Sequence, residues 1–116
     1  MHDRDSASAA SALVEAKIHR LARRLAIADA ELGRLVGFEG STRATKQASE
    51  RVDAALSTIE MILTTWAEMA GEEAAIRFKS LPLPGWSGKT AYDLVAEGSG
   101  PLVLEYLEAV KAGVHA

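Results

Sequence analysis

Apolar side chains recur at helical spacing along most of this chain. Leu13, Ala16, Leu21 and Leu25, with Ile18 less regular, make a stripe over residues 9–26, and Arg20, Arg23 and Arg24 fall towards solvent. The first ten residues are small and polar and are expected to fray. Asp29 can cap a shorter helix that holds Leu32, Leu35 and Val36 and ends at Gly37. Gly40-Ser41-Thr42 is a second break, and residues 43–49 (RATKQAS) form a short, polar and basic segment. The longest helix signal runs from Glu50 to about Met69, where Val52, Leu56, Ile59, Leu63 and Trp66 recur near the helical period with Met61 on the flank. Gly71 ends it, and residues 72–79 offer one more short helix carrying Ile76 and Phe78.

The last third is punctuated differently. Pro82 and Pro84 interrupt the preceding helix, because proline lacks the amide donor and constrains the residue before it. Gly85, Ser87 and Gly88 leave the backbone free to turn. Thr90, followed three residues on by Asp93, is the signature of a capping box, which predicts a short helix from Ala91 with Tyr92, Leu94 and Val95 on its apolar side. Gly98-Ser99-Gly100 breaks that helix, and Pro101 suits the first turn of the next. In this last helix Leu104, Leu107 and Val110, with Val103 and Tyr106 beside them, fit one buried stripe, and Gly113 stops it. No stretch alternates apolar and polar residues as a half-buried strand would. The expected fold is all-α, about six helices, with a helical part over residues 9–70 and a smaller helical domain over 71–116.

Composition narrows the function classes. At 116 residues, with 48% hydrophobic and 25% charged residues, the chain suits one small domain with a modest core and little room for a deep active site. There is no cysteine, so neither disulfides nor a thiolate zinc site is available, and a reducing cytoplasm is permitted. No apolar run is long enough to span a bilayer, and the N-terminal MHDRDSASAASA has no apolar core of a signal peptide, so a cytoplasmic location is expected. The net charge of −3 is unevenly spread: residues 11–51 hold eight Lys or Arg against five acids, whereas 52–116 hold four against nine. A basic front and an acidic back suggest partners of opposite character.

The run GKTAYDLV over residues 88–95, then glycine, then a helix of pattern V-x-x-x-L-x-x-V closing on Gly113-Val114, resembles the C-terminal domain of the MbcA/ParS/Xre antitoxins. Where that family usually has Gly-Gly before Lys/Arg-Thr and Pro-Leu after it, this chain has Ser87-Gly88 and Ala91-Tyr92. The resemblance covers residues 71–116 well and the preceding helices loosely. It implies an antitoxin of a type II toxin–antitoxin system, not an enzyme, that binds and blocks the NAD-binding active site of a RES-domain toxin that degrades NAD⁺, with repression of its own operon as a further role. On this resemblance the toxin-binding residues are Trp86, Lys89, Tyr92, Asp93, Tyr106, Lys111, Gly113, Val114, His115 and Ala116, the tail being the part that approaches the NAD⁺ pocket. The expected partners are the cognate toxin and operator DNA, in a homo-oligomer or a hetero-oligomer with the toxin, with no membrane, small-molecule substrate or cofactor.

The family also implies a degenerate Xre-like helix-turn-helix. Residues 29–49 have a helix–break–helix pattern, and Arg43, Thr45, Lys46 and Gln47 are residue types that read bases, with Arg51 in reach of the DNA backbone. The competing explanation is a solvated surface between two packing helices. A second functional class stays open as well: a stand-alone helix-turn-helix regulator whose C-terminal domain oligomerises. A purely structural helical adaptor is the third.

Other chemistry has little support. His2, His19 and His115 are scattered without metal-ligand spacing. Gly85 to Thr90 lacks the spacing of a phosphate loop, and Ser87 lies in no nucleophile elbow. Trp66 falls on a helical stripe and is expected in the core. Trp86, between prolines and a helix cap, either covers a seam between the two halves or anchors a partner.

Overall fold

Neither glycine nor proline occurs between Lys46 and Ala70, and that segment is one continuous helix. The computed structural model describes the backbone of residues 2–38 and 46–113, and the side chains of 12–38 and 50–113. Its helices are α1 (His2–Leu25), α2 (Asp29–Val36), α3 (Lys46–Ala70), α4 (Ala74–Ser80), α5 (Ala91–Ala96) and α6 (Gly100–Lys111). The fold is all-α; among the described residues the only β-type pairing is an isolated bridge between Pro82 and Thr90. The chain divides into two compact units, Met1–Leu56 and Ser57–Ala116, and the division falls inside α3 rather than at Gly71.

In the first unit α1 packs on α2. The buried row of α1 is Val14, Ile18, Leu21, Ala22 and Leu25, spaced by fours and threes as one helix face requires. Leu13, expected on that stripe, is 65% exposed, because it lies about a quarter-turn away from the row that Val14 begins. The helix also begins well before Ala9, at His2. It ends on Ala26, a non-glycine residue at φ 59°, where Ala26 N–H donates to Arg23 O (3.2 Å) and Ile27 N–H donates to Ala22 O (3.0 Å). This is a Schellman termination without its usual glycine. α2 ends the same way, with Gly37 at φ 78° and Phe38 N–H donating to Gly33 O at 2.8 Å. Asp29 does not cap α2. Ala28 holds the cap position without a side-chain bond, and Asp29, in the first turn, has its Oδ2 2.9 Å from His19 Nδ1.

In the second unit Ile59, Ile62, Leu63 and Trp66 of α3 are buried, so Trp66 is core as expected, whereas Met61 is 49% exposed. A 3₁₀ turn at Gly71–Glu73 leads into α4, whose Phe78 is fully buried and whose Ile76 is exposed. α5 packs on both α4 and α6. In α6 the fully buried positions are Gly100, Val103 and Leu107; Leu104, Tyr106 and Val110 are half-buried flanks of that row. Two points fix α6 alongside α3, running in the same direction. A Cβ at Gly100 would stand 3.1 Å from Thr58 Cγ2, and Lys111 Nζ lies 2.5 Å from Glu68 Oε1. A side chain at position 100 would need Thr58 to give way by a few tenths of an ångström, so glycine suits this contact. No helix among the described residues is long and apolar enough to cross a membrane.

Candidate functional site

The sequence that breaks α4 also builds the most elaborate surface of the second unit. Between Pro82 and Thr90 the chain reverses. Leu83 N–H donates to Lys89 O at 2.9 Å, and Lys89 N–H donates to Trp86 O at 3.0 Å. The reversal needs left-handed backbone at Gly85 (φ 88°), Ser87 (φ 54°) and Gly88 (φ 84°), which glycine supplies at no steric cost and serine does not. Leu83 is buried and pins the loop to the core.

The loop lays half-buried Trp86 against Tyr106 of α6, edge to face, with ring centroids 5.5 Å apart and planes at 90°. Such pairs contribute about 0.5–1.5 kcal/mol beyond the area they bury. Lys89, at the end of the loop, reaches forward to Glu97, with Nζ 2.7 Å from Oε2. Thr90 and Asp93 form the expected capping box: Asp93 N–H donates to Thr90 Oγ1, and Thr90 N–H donates to Asp93 Oδ2, both at 3.1 Å. Tyr92 stands edge-on to buried Phe78, with centroids 6.3 Å apart. Lys111 pairs with Glu68, and Gly113, at φ 77°, donates its N–H to Val110 O at 3.0 Å.

Two of the expected toxin-binding residues, Trp86 and Tyr106, therefore touch each other directly. Lys89, Tyr92, Asp93 and Lys111 each hold an intramolecular partner as well, so each has a structural role whatever else it does. Val114, His115 and Ala116 lie outside the described residues. The spacing of Lys89 to Glu97, or of Lys111 to Glu68, carries no sequence signal, because both pairs depend on how separate segments come together.

No family model, curated protein or solved structure matches this chain.

Of the residues expected at DNA, Arg43 and Thr45 lie outside the described residues. Lys46 and Gln47 occupy the first turn of α3, and their side chains are outside the described residues too; Arg51 is exposed on the same helix. The segment expected as a separate short helix thus continues into α3, since nothing between Lys46 and Glu50 breaks it. In the first unit α1 and α2 enclose a groove of about 620 Å³ lined by Glu15, Ile18, Asp29, Gly33, Arg34 and Phe38 among others. Its charges are mixed, with two carboxylates and one guanidinium. Among the described residues no group of three His, Cys, Asp or Glu side chains could hold a metal ion.

Proposed function

We propose that the protein is an antitoxin that binds a RES-domain toxin and blocks the NAD-binding active site of that enzyme. The observation that supports this best is the continuity of the segment bearing the resemblance. The closed 82–90 loop, the Thr90–Asp93 box, α5 and α6 follow one another within one compact unit. The loop displays a half-buried Trp86–Tyr106 pair, and tryptophan and tyrosine are the residue types that dominate interface energetics. On this reading the body of the unit docks on the toxin around Trp86, Lys89, Tyr92 and Tyr106. The tail beyond Lys111, from Gly113 to Ala116, obstructs the pocket. Repression of the operon is an added role carried by residues 43–51.

The test uses a purified RES-domain toxin, with NAD⁺ consumption followed over time. Full-length protein is expected to stop it. Protein lacking residues 113–116 loses only residues beyond the buried row of α6 and should keep its helicity and still bind the toxin, yet block NAD⁺ loss incompletely. Full inhibition by the shortened protein would move the block from the tail to the body of the unit. Absence of any complex with a RES-domain protein would remove the antitoxin reading itself.

A further inference from the structure

The outer face of α1 carries a strip of positive charge that the toxin-binding reading does not use. Arg20, Arg23 and Arg24 are all exposed, and they lie on the side of the helix opposite the buried row Val14, Ile18, Leu21 and Leu25. From Arg20 to Arg24 the helix rises about 6 Å, so the three guanidinium groups sit within little more than one turn. Between Ala16 and Ala28 the chain has Lys17 and these three arginines but no acid.

Two acids near the strip are already engaged. On one flank Lys17 is bonded to Asp53, and on the other His19 holds Asp29. None of the three arginines enters an ion pair among the described residues, whereas Arg77, Lys89 and Lys111 of the second unit each do. Arg34 is set apart from the strip: it lines the groove that also holds Glu15 and Asp29, where its charge is offset locally.

We infer that this strip is a sequence-independent contact for the phosphate backbone of double-stranded nucleic acid, provided by α1 and additional to the operator contact proposed for residues 43–51. Closely spaced, unpaired guanidinium groups suit a string of phosphates, and arginine binds phosphate in a two-pronged way that lysine does not. A membrane surface suits the face poorly. An interfacial helix buries its apolar side in lipid, but here that side is packed into the protein, and among the described residues of α1 Leu13 is the one large apolar side chain left exposed. A second copy would bring like charge against like.

Arg23 and Arg24 also lie in the last turn of α1, where cations favour the helix, so stability has to be read separately from binding. The experiment titrates a labelled random-sequence duplex with the full chain at several salt concentrations and follows anisotropy. Replacing Arg20, Arg23 and Arg24 by Gln should lower the slope of log K against log salt by about 2.7, at roughly 0.9 for each phosphate no longer neutralised. Between about 50 and 200 mM salt the unchanged protein should then lose some 40-fold more affinity than the variant. The triple Arg→Lys protein keeps the charges and should keep the slope, which separates the effect of charge from damage to the helix. Arg77→Gln with Lys79→Gln, in the second unit, should leave the slope alone. Circular dichroism checks helicity throughout, and NAD⁺ protection should be unaffected by the Gln changes, so failure here leaves the antitoxin reading standing. An unchanged slope in the triple Gln variant overturns the inference. So does absence of duplex binding by the unchanged protein at low salt, or binding to phosphatidylserine vesicles without binding to DNA.

Discussion

Replacing Thr90 by alanine removes one half of a two-bond device and leaves the other half without its purpose. α5 has six residues, far too few to persist alone, so it stands on its cap and on the burial of Ala91, Leu94 and Val95. The lost Thr90 Oγ1 acceptor, 3.1 Å from Asp93 N, frees one of the amides that a helix start cannot satisfy internally. Losses of this kind cost about 1 kcal/mol, with a range of roughly 0.5–2. For a domain of this size that corresponds to a fall in Tm of about 3–6 °C. Thr90→Ser keeps the acceptor and should recover most of it. Asp93→Ala removes the reciprocal bond, and because both bonds belong to one box the double variant should lose less than the sum of the two single ones. Calorimetry gives the stabilities, and amide exchange at Asp93 and Leu94 locates the change. A melting curve and an exchange pattern over residues 91–97 that do not move in Thr90→Ala would refute the claim that the box supports α5.

Two further outcomes follow from the geometry. Ala26 sits at φ 59° and is exposed, so Ala26→Gly should relieve a left-handed strain and stabilise the protein by up to about 1 kcal/mol, seen as a higher denaturation midpoint; a lower midpoint would contradict the Schellman ending of α1. A double-mutant cycle over Trp86→Leu and Tyr106→Leu should give a coupling of about 0.5–1.5 kcal/mol in the free protein, and a coupling near zero would mean the edge-to-face contact contributes nothing.

Where a structural feature is written in neighbouring residues, the sequence is enough to find it. The Thr90–Asp93 box, the stop at Gly37, the break at Gly71 and the proline at the start of α6 all obey rules that span a few positions, and each stands where those rules put it. One local reading fails by a single position, since Ala28 and not Asp29 holds the cap of α2, and the other readings that fail depend on something longer. Leu13 fits a helical period as well as Val14 does, and only the packing of α1 decides which of two adjacent rows is buried. Ala26 ends a helix in a conformation that alanine does not advertise. Residues 46–49 read as separate from the long helix because they are polar and basic, but polarity does not break a helix when no glycine or proline is present. For the candidate site the residue types are legible and their partners are not: nothing local ties Lys89 to Glu97, or Trp86 to Tyr106.

Those partners determine how the proposed surface can be tested. Asp93 completes the cap of α5, and Lys89 ties the 82–90 loop to the end of the same helix, so alanine at either position would disturb the scaffold and any interface together. The two risks differ in size. The Lys89–Glu97 pair is about half exposed, and pairs of that kind contribute only about 0–1 kcal/mol, so a large loss of toxin binding in a Lys89 variant could not come from the scaffold. The capping box is worth more, and a binding loss at Asp93 would be ambiguous. Trp86 lies between these cases. Its ring is half-buried against Tyr106, yet the loop that carries it is closed by backbone bonds from Leu83 and Lys89 that a change of the Trp86 side chain leaves intact. The loop should therefore survive Trp86→Leu. Loss of toxin binding by that variant, with helicity kept, would identify an anchor at the interface; full binding would confine Trp86 to the packing of its own unit.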